Sequence, residues 1–109
     1  MLETQSIYSE IKPSYTQEIF TTLFEKAGVK IERIDSHGQA SPDGFWYDQP
    51  QDEWVLLVKG AAILEIADQP PLTLKAGDHV IIPAHIRHRV ARTSAEALWL
   101  AVHCPASCP

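Results

Sequence analysis

From residue 29 to residue 103 the chain is a succession of short apolar runs rich in Val, Ile, Leu and Trp, cut apart by Gly, Pro and Asp. The runs are VKIERID (29–35), EWVLLVK (53–59), AAILEIA (61–67), LTLK (72–75), HVIIP (79–83), HRVART (88–93) and ALWLAVH (97–103). Each has the length of a strand, and no helical periodicity separates them. Parallel sheets need crossover helices, so this pattern excludes an α/β fold and leaves an antiparallel sandwich or barrel. The connections are mostly tight: Gly60 alone separates two runs, and Ala76-Gly77-Asp78 reads as a turn.

Ahead of the strands the pattern differs. Ser14-x-x-Gln17 has the form of a capping box, and Ile19, Phe20, Leu23, Phe24 and Ala27 follow at helical spacing before Gly28. This predicts one short amphipathic helix over roughly residues 15–26. The expected organisation is therefore an N-terminal arm and helix (1–28) followed by an all-β barrel (29–109), in one compact domain. A chain of 109 residues leaves no room for a second core.

Composition narrows the function classes. Hydrophobic residues make up 45% and charged residues 21%, which is globular. The longest apolar stretches fall far short of the roughly 20 residues that cross a bilayer, and MLETQSIYSE does not read as a signal peptide. A cytoplasmic protein with no membrane partner is expected. The net charge of −5 disfavours nucleic acid as a partner, and no nucleotide-binding loop or helix-turn-helix is present. Cys104 and Cys108, in HCPASCP, lack the second pair of a zinc finger and read as reduced thiols near the terminus.

Strand alternation places Glu53, Val55 and Leu57 on one face of EWVLLVK and Trp54, Leu56 and Val58 on the other. Both faces are apolar, so both are expected to be covered: the inner by the barrel core, the outer by the N-terminal helix or a second subunit. A homodimer is the expected assembly. From His88, the same alternation sends Val90 and Arg92 inward and Arg87 and Arg89 outward.

The spacing around two of these runs resembles the small single-domain cupins, which are double-stranded β-helix or jelly-roll barrels of the RmlC-like type. Their first motif is G-x5-H-x-H-x3–4-E-x6-G and their second G-x5-P-x-G-x2-H-x3-N. Glu53 is followed by Gly60 as the first requires, and Gly77, Pro83 and His88 keep the register of the second. The resemblance covers about residues 29–103 and implies a divalent metal inside the barrel, held by two His and the Glu of the first motif with the His of the second. Glu53 and His88 match. The two histidine positions of the first motif are Tyr47 and Gln49 with the shorter spacer, or Trp46 and Asp48 with the longer one. His85 replaces the second motif's Gly, and Arg92 its Asn.

Carried over in this way, the resemblance implies Gln49, Glu53 and His88 as ligands of one divalent ion (Mn, Fe, Ni or Zn), with no organic cofactor. Tyr47 and His85 are the candidate proton-transfer residues. Trp46, Tyr47, Asp48, His85, Arg92 and Trp99 frame the expected pocket. Without a metal, Glu53 and His88 read as a hydrogen-bonded pair inside an apolar barrel. Two functions stand open: a metal-dependent enzyme of oxygenase or isomerase type acting on a small polar metabolite, and a metal-free cupin that binds such a metabolite without catalysis.

Overall fold

The computed structural model describes residues 1–11, 13–14 and 16–106; Cys108 lies outside them. The described residues form eight strands: β1 (Ile19–Lys26), β2 (Val29–Ser36), β3 (Gln51–Lys59), β4 (Ala61–Ile66), β5 (Leu72–Lys75), β6 (His79–Ile82), β7 (His88–Thr93) and β8 (Ala97–Pro105). A five-stranded antiparallel sheet in the order β1-β2-β8-β3-β6 packs against a three-stranded one, β5-β4-β7. The seven expected strands are all present, with ends within one or two residues of the sequence reading. Among the described residues no helix is long and apolar enough to cross a membrane.

The N-terminal helix is corrected. The described residues contain no helix, and Ile19–Lys26 is a strand paired antiparallel with β2. Ser14 Oγ does accept from the backbone N–H of Gln17 (3.4 Å), as a cap would, but the chain then extends. Two features of the segment favour the strand. Ile19, Phe20, Thr21, Thr22 and Phe24 are β-branched or aromatic, which suits a pleated surface. Ala27 and Gly28 both have positive φ (52° and 84°), as a two-residue primed hairpin turn requires. Gly28, read as a helix stop, is the second residue of that turn, and β1 continues the main sheet at its edge.

The core forms where the inward faces of the two sheets meet. Along β3 burial alternates as expected: Glu53, Val55 and Leu57 are buried, while Trp54, Leu56 and Val58 are half-buried. Val55, Leu57, Trp99 and Ala101 from the large sheet pack with Ala62, Leu64, Ile66 and Leu74 from the small one. Each buried aliphatic side chain contributes roughly 1.5–3 kcal/mol relative to exposure. On the outer face of the large sheet, the buried Arg33 guanidinium donates to both oxygens of Asp35 (2.9 and 3.1 Å) and to Ser9 Oγ (3.3 Å) of the N-terminal arm.

Gly60 is the corner at which the chain leaves the large sheet for the small one. Its φ is +91°, and a Cβ there would lie 2.3 Å from the Glu96 carbonyl oxygen and 3.0 Å from Ala97 Cα. Beside it Ser94 Oγ accepts from Ala61 N–H (3.0 Å) and donates to Glu96 O (2.9 Å). The turn at Lys75–Asp78 closes as expected, with Asp78 N–H donating to Lys75 O (2.9 Å) and Gly77 N–H to Leu57 O (2.7 Å).

Candidate functional site

Between the two sheets lies a cavity of about 210 Å³, lined by apolar residues of both and by a polar cluster. Glu53 is at the centre of that cluster. It is the first inward residue of β3, and β3 runs between β8 and β6, so its carboxylate sits where the ladder brings β8 alongside: Glu53 pairs in register with His103. His88 opens β7 in the opposite sheet and faces it across the barrel.

The contacts around Glu53 divide between its two oxygens. Gln49 Nε2 donates to Oε1 at 3.1 Å, and His88 Nε2 lies 3.6 Å from the same oxygen. His103 Nε2 stands 3.8 Å from Oε2 and 3.1 Å from Glu32 Oε1. Glu32, buried on β2, also pairs with Lys30 at 3.4 Å. His88 Nδ1 lies 2.8 Å from the Ile86 carbonyl oxygen. A carbonyl only accepts, so Nδ1 carries a proton and Nε2 is the atom presented to Glu53.

The electrostatics follow from these contacts. Burial pushes the Glu53 carboxyl up, but pairing with His88, the charges of His103 and His88 and the Gln49 amide together hold it below its usual value. Burial pushes His88 down, yet Glu53 and the Ile86 carbonyl raise it above 6.5. The Tyr47 phenol is raised by burial and by the charges of Glu18, Glu53 and Glu32, so it remains a hydrogen-bond donor. Burial also raises Glu18, opposed by the hydroxyl of Ser36, which donates to it.

These shifts set a pH window. The lowered Glu53 contributes stability above its unfolded value of 4.5, lost as pH falls through the folded value. The raised His88 contributes below 6.5, lost as pH rises through its folded value. The pair therefore stabilises most between those limits. The melting temperature of wild type relative to His88→Asn is expected to be greatest near pH 5–6 and to shrink on both sides. A difference that grows steadily from pH 5 to pH 9 would contradict the ion pair.

The residues expected from the sequence are divided by the structure. Glu53, His88, Tyr47, Gln49 and Trp99 all line the cavity. Tyr47 stacks on His88 (ring centroids 5.4 Å apart, planes at 24°), and their backbones exchange two hydrogen bonds of 2.7 and 3.1 Å. Trp46 lies outside the cavity lining, with the Arg87 guanidinium 5.2 Å from its ring centroid. Asp48 and His85 are exposed and pair with each other at 2.8 Å, and His85 has a φ of +63°. Asp48 and His85, expected to frame the pocket, thus lie outside its lining and bond to each other at the surface.

Arg92 is corrected outright. The β4–β7 register slips, with Ile63 opposite Arg92 and Leu64 opposite Val90, so Ala91 is an extra residue. That bulge turns Arg92 to solvent and buries Thr93 in its stead. Three polar residues of the cavity lining are absent from the sequence-based expectation: Glu18, Glu32 and His103. Alternation carried one step further would have found two of them, since Glu32 shares a face with Ile34 and His103 with Trp99 and Ala101. Glu18 precedes a strand read as a helix and gave no signal. Cys104 is half-buried, its thiol 3.9 Å from the Asp52 carbonyl.

The metal implied by the resemblance can be tested against these donors. A single ion needs its ligand atoms within about 2.0–2.2 Å of a common point. Gln49 turns its NH2, which cannot ligate, toward the Glu53 carboxylate, and His103 Nε2 is taken up by Glu32 Oε1 at 3.1 Å. Among the described residues no three His, Cys, Asp or Glu side chains are grouped to hold an ion. The donors in this arrangement do not fit the metal that the resemblance implies.

Comparison with known proteins agrees with the barrel. A family model described as a cupin domain matches residues 32–103. The chain is similar to a structure from Ralstonia eutropha JMP134 named "putative mannose-6-phosphate isomerase", with 50% identity, a TM-score of 0.90, and 95% of this chain and 99% of that one covered. It is also similar to an RmlC-like cupin protein from Desulfovibrio desulfuricans (13% identity, TM-score 0.79, 98% and 100% covered). A third similar structure is an RmlC-like cupin family protein with a double-stranded β-helix fold from Methanocaldococcus jannaschii (21%, 0.70, 88% and 87%). At these last two identities the likeness bears on the fold alone. No curated protein matches. With its two motif spacings, its two-sheet barrel and this match over residues 32–103, the chain belongs to the cupin family and has its double-stranded β-helix fold.

Proposed function

We propose that this cupin catalyses an isomerase-type proton transfer on a small polar carbonyl metabolite held in the barrel. The observation that carries the reading is the buried Glu53 carboxylate set between two imidazoles in the lining of the cavity between the sheets. The separations of 3.6 and 3.8 Å exceed a hydrogen bond, so a substrate hydroxyl or carbonyl oxygen lying beside the carboxylate and an imidazole can reach both without displacing either.

In this scheme Glu53 takes the proton from the carbon next to the carbonyl. The electron pair of that C–H bond moves into a C=C bond, and the carbonyl oxygen receives a proton from His88, giving an enediol. Return of the proton from Glu53 to the neighbouring carbon, with the hydroxyl proton going back to His88, completes the isomerisation. Gln49 orients the carboxylate, and Tyr47, stacked on His88, offers its phenol to a substrate hydroxyl. The name of the Ralstonia protein, an isomerase of a phosphorylated sugar, supports the reaction class.

The test is incubation of the protein with a panel of aldoses and ketoses, free and phosphorylated, in D2O, followed by NMR. Deuterium entering at the carbon beside the carbonyl of at least one sugar is the expected result. Sugar binding without any exchange would favour the non-catalytic binding reading.

A further inference from the structure

We infer that the substrate of this pocket is uncharged: a hydroxylated carbonyl compound without a phosphate group. This inference rests on the isomerase-type reading and names its substrate class.

The sign of the cavity carries it. Three carboxylates, those of Glu18, Glu32 and Glu53, line the same small space, against two imidazoles. Among the described residues no lysine or arginine lines it. The basic groups nearby in the fold are already engaged. Lys30 reaches Glu32 from a half-exposed position, Arg33 is bound to Asp35 on the outer face, and Arg89 donates to Glu65 and to the Ser41 carbonyl. Arg87 lies over Trp46 outside the lining.

Recognition of a phosphate calls for a guanidinium or ammonium group, or for several backbone N–H groups converging from a helix start or a nest. Apart from Glu18, Tyr47 and Gln49, the lining residues lie on strands whose backbone N–H groups point along the sheets into their ladders and not into the interior, and the Tyr47 N–H is bonded to the His88 carbonyl. The two imidazoles are committed to Glu53 and Glu32. A phosphate dianion would have to take them from those carboxylates and then lie among three like charges.

A cationic ligand meets the converse obstacle, since it would compete with the imidazoles for Glu53 and Glu32. An uncharged polyol disturbs neither pair. Its hydroxyls can donate to the carboxylates and accept from the Tyr47 phenol, while its carbon skeleton lies on Ile34, Val55 and Trp99. A charge-free ligand is the one class that gains contacts here without breaking any.

The experiment is titration calorimetry and thermal shift on the full chain at pH 7 with D-mannose, D-mannose 6-phosphate and D-mannosamine, followed by the corresponding members of an aldose and ketose series. The free sugar that binds best should bind at least about tenfold more tightly than its phosphate and its amino analogue. In Glu18→Gln and Glu32→Gln that margin over the phosphate should narrow severalfold. A phosphate or amino sugar that binds as tightly as the free sugar overturns the inference while leaving the isomerase-type reading in place. So does a margin that neither variant changes. If no member of the series binds in any charge form, the isomerase-type reading itself fails.

Discussion

Glu53→Gln is expected to slow deuterium exchange into the responding sugar by a factor on the order of 10²–10⁴, the usual contribution of a positioned acid–base group, while the barrel stays folded. The amide has the shape of the carboxyl it replaces, so Gln49 and the two imidazoles keep a polar neighbour. What is lost is the site that receives the carbon-bound proton. The same change removes the charge that, against burial, favours the protonated form of His88. The stability cost should therefore depend on pH. Near pH 8 the imidazole is neutral in the variant and leaves no unpaired buried charge, so the melting temperature changes little. Near pH 5 the variant must either bury an unpaired imidazolium or keep His88 neutral against the solvent, and the loss is larger. Exchange rates measured beside circular dichroism and thermal melts separate the two effects. An exchange rate within about threefold of wild type would remove Glu53 from the chemistry.

Gly60→Ala should be among the most damaging single changes in the fold, on the order of 4 kcal/mol. Two terms add. A residue with a Cβ held at a φ of +91° is strained by about 1–3 kcal/mol. The new methyl would also stand 2.3 Å from a backbone oxygen and 3.0 Å from a backbone Cα, neither of which can rotate away, and such overpacking typically costs 1–3 kcal/mol. For a chain of this size a melting temperature lower by roughly 15–25 °C follows. Gly38→Ala is the matched control: φ is +83°, but no atom lies within 4 Å of the added Cβ. It should show the conformational term alone, about 1–2 kcal/mol. Urea unfolding of both variants would check this, and equal losses would mean that the Glu96 carbonyl is not the obstacle.

Why the strands were legible and β1 was not can be traced to particular residues. In EWVLLVK the inward and outward sets alternate without interruption, and Gly60 and Ala76-Gly77-Asp78 mark the corners by their own backbone needs. β1 carries Phe20, Leu23 and Phe24 half-exposed at the sheet edge, with a register shift between Thr22 and Phe24. That shift gives a strand the spacing of a helix, and only pairing with β2 decides between them. The site divides similarly. Glu53, His88, Tyr47 and Gln49 are found by motif spacing, because they sit in two short segments. Glu32 and His103 join them only through the β2–β8 and β8–β3 ladders, which sequence distance conceals. Arg92 was misplaced by one bulged residue, since alternation assumes an uninterrupted ladder.

The Glu53–His88 pair has one partner on each sheet: β3 belongs to the five-stranded layer and β7 to the three-stranded one. It is therefore a clasp between the halves of the sandwich as well as a pair of reacting groups. A molecule that lies beside the pair and bonds to both carboxylate and imidazole touches both layers at the point where they hold each other. Occupancy of the cavity and cohesion of the barrel then draw on the same atoms, and a bound substrate adds a second tie between layers that the pair already joins.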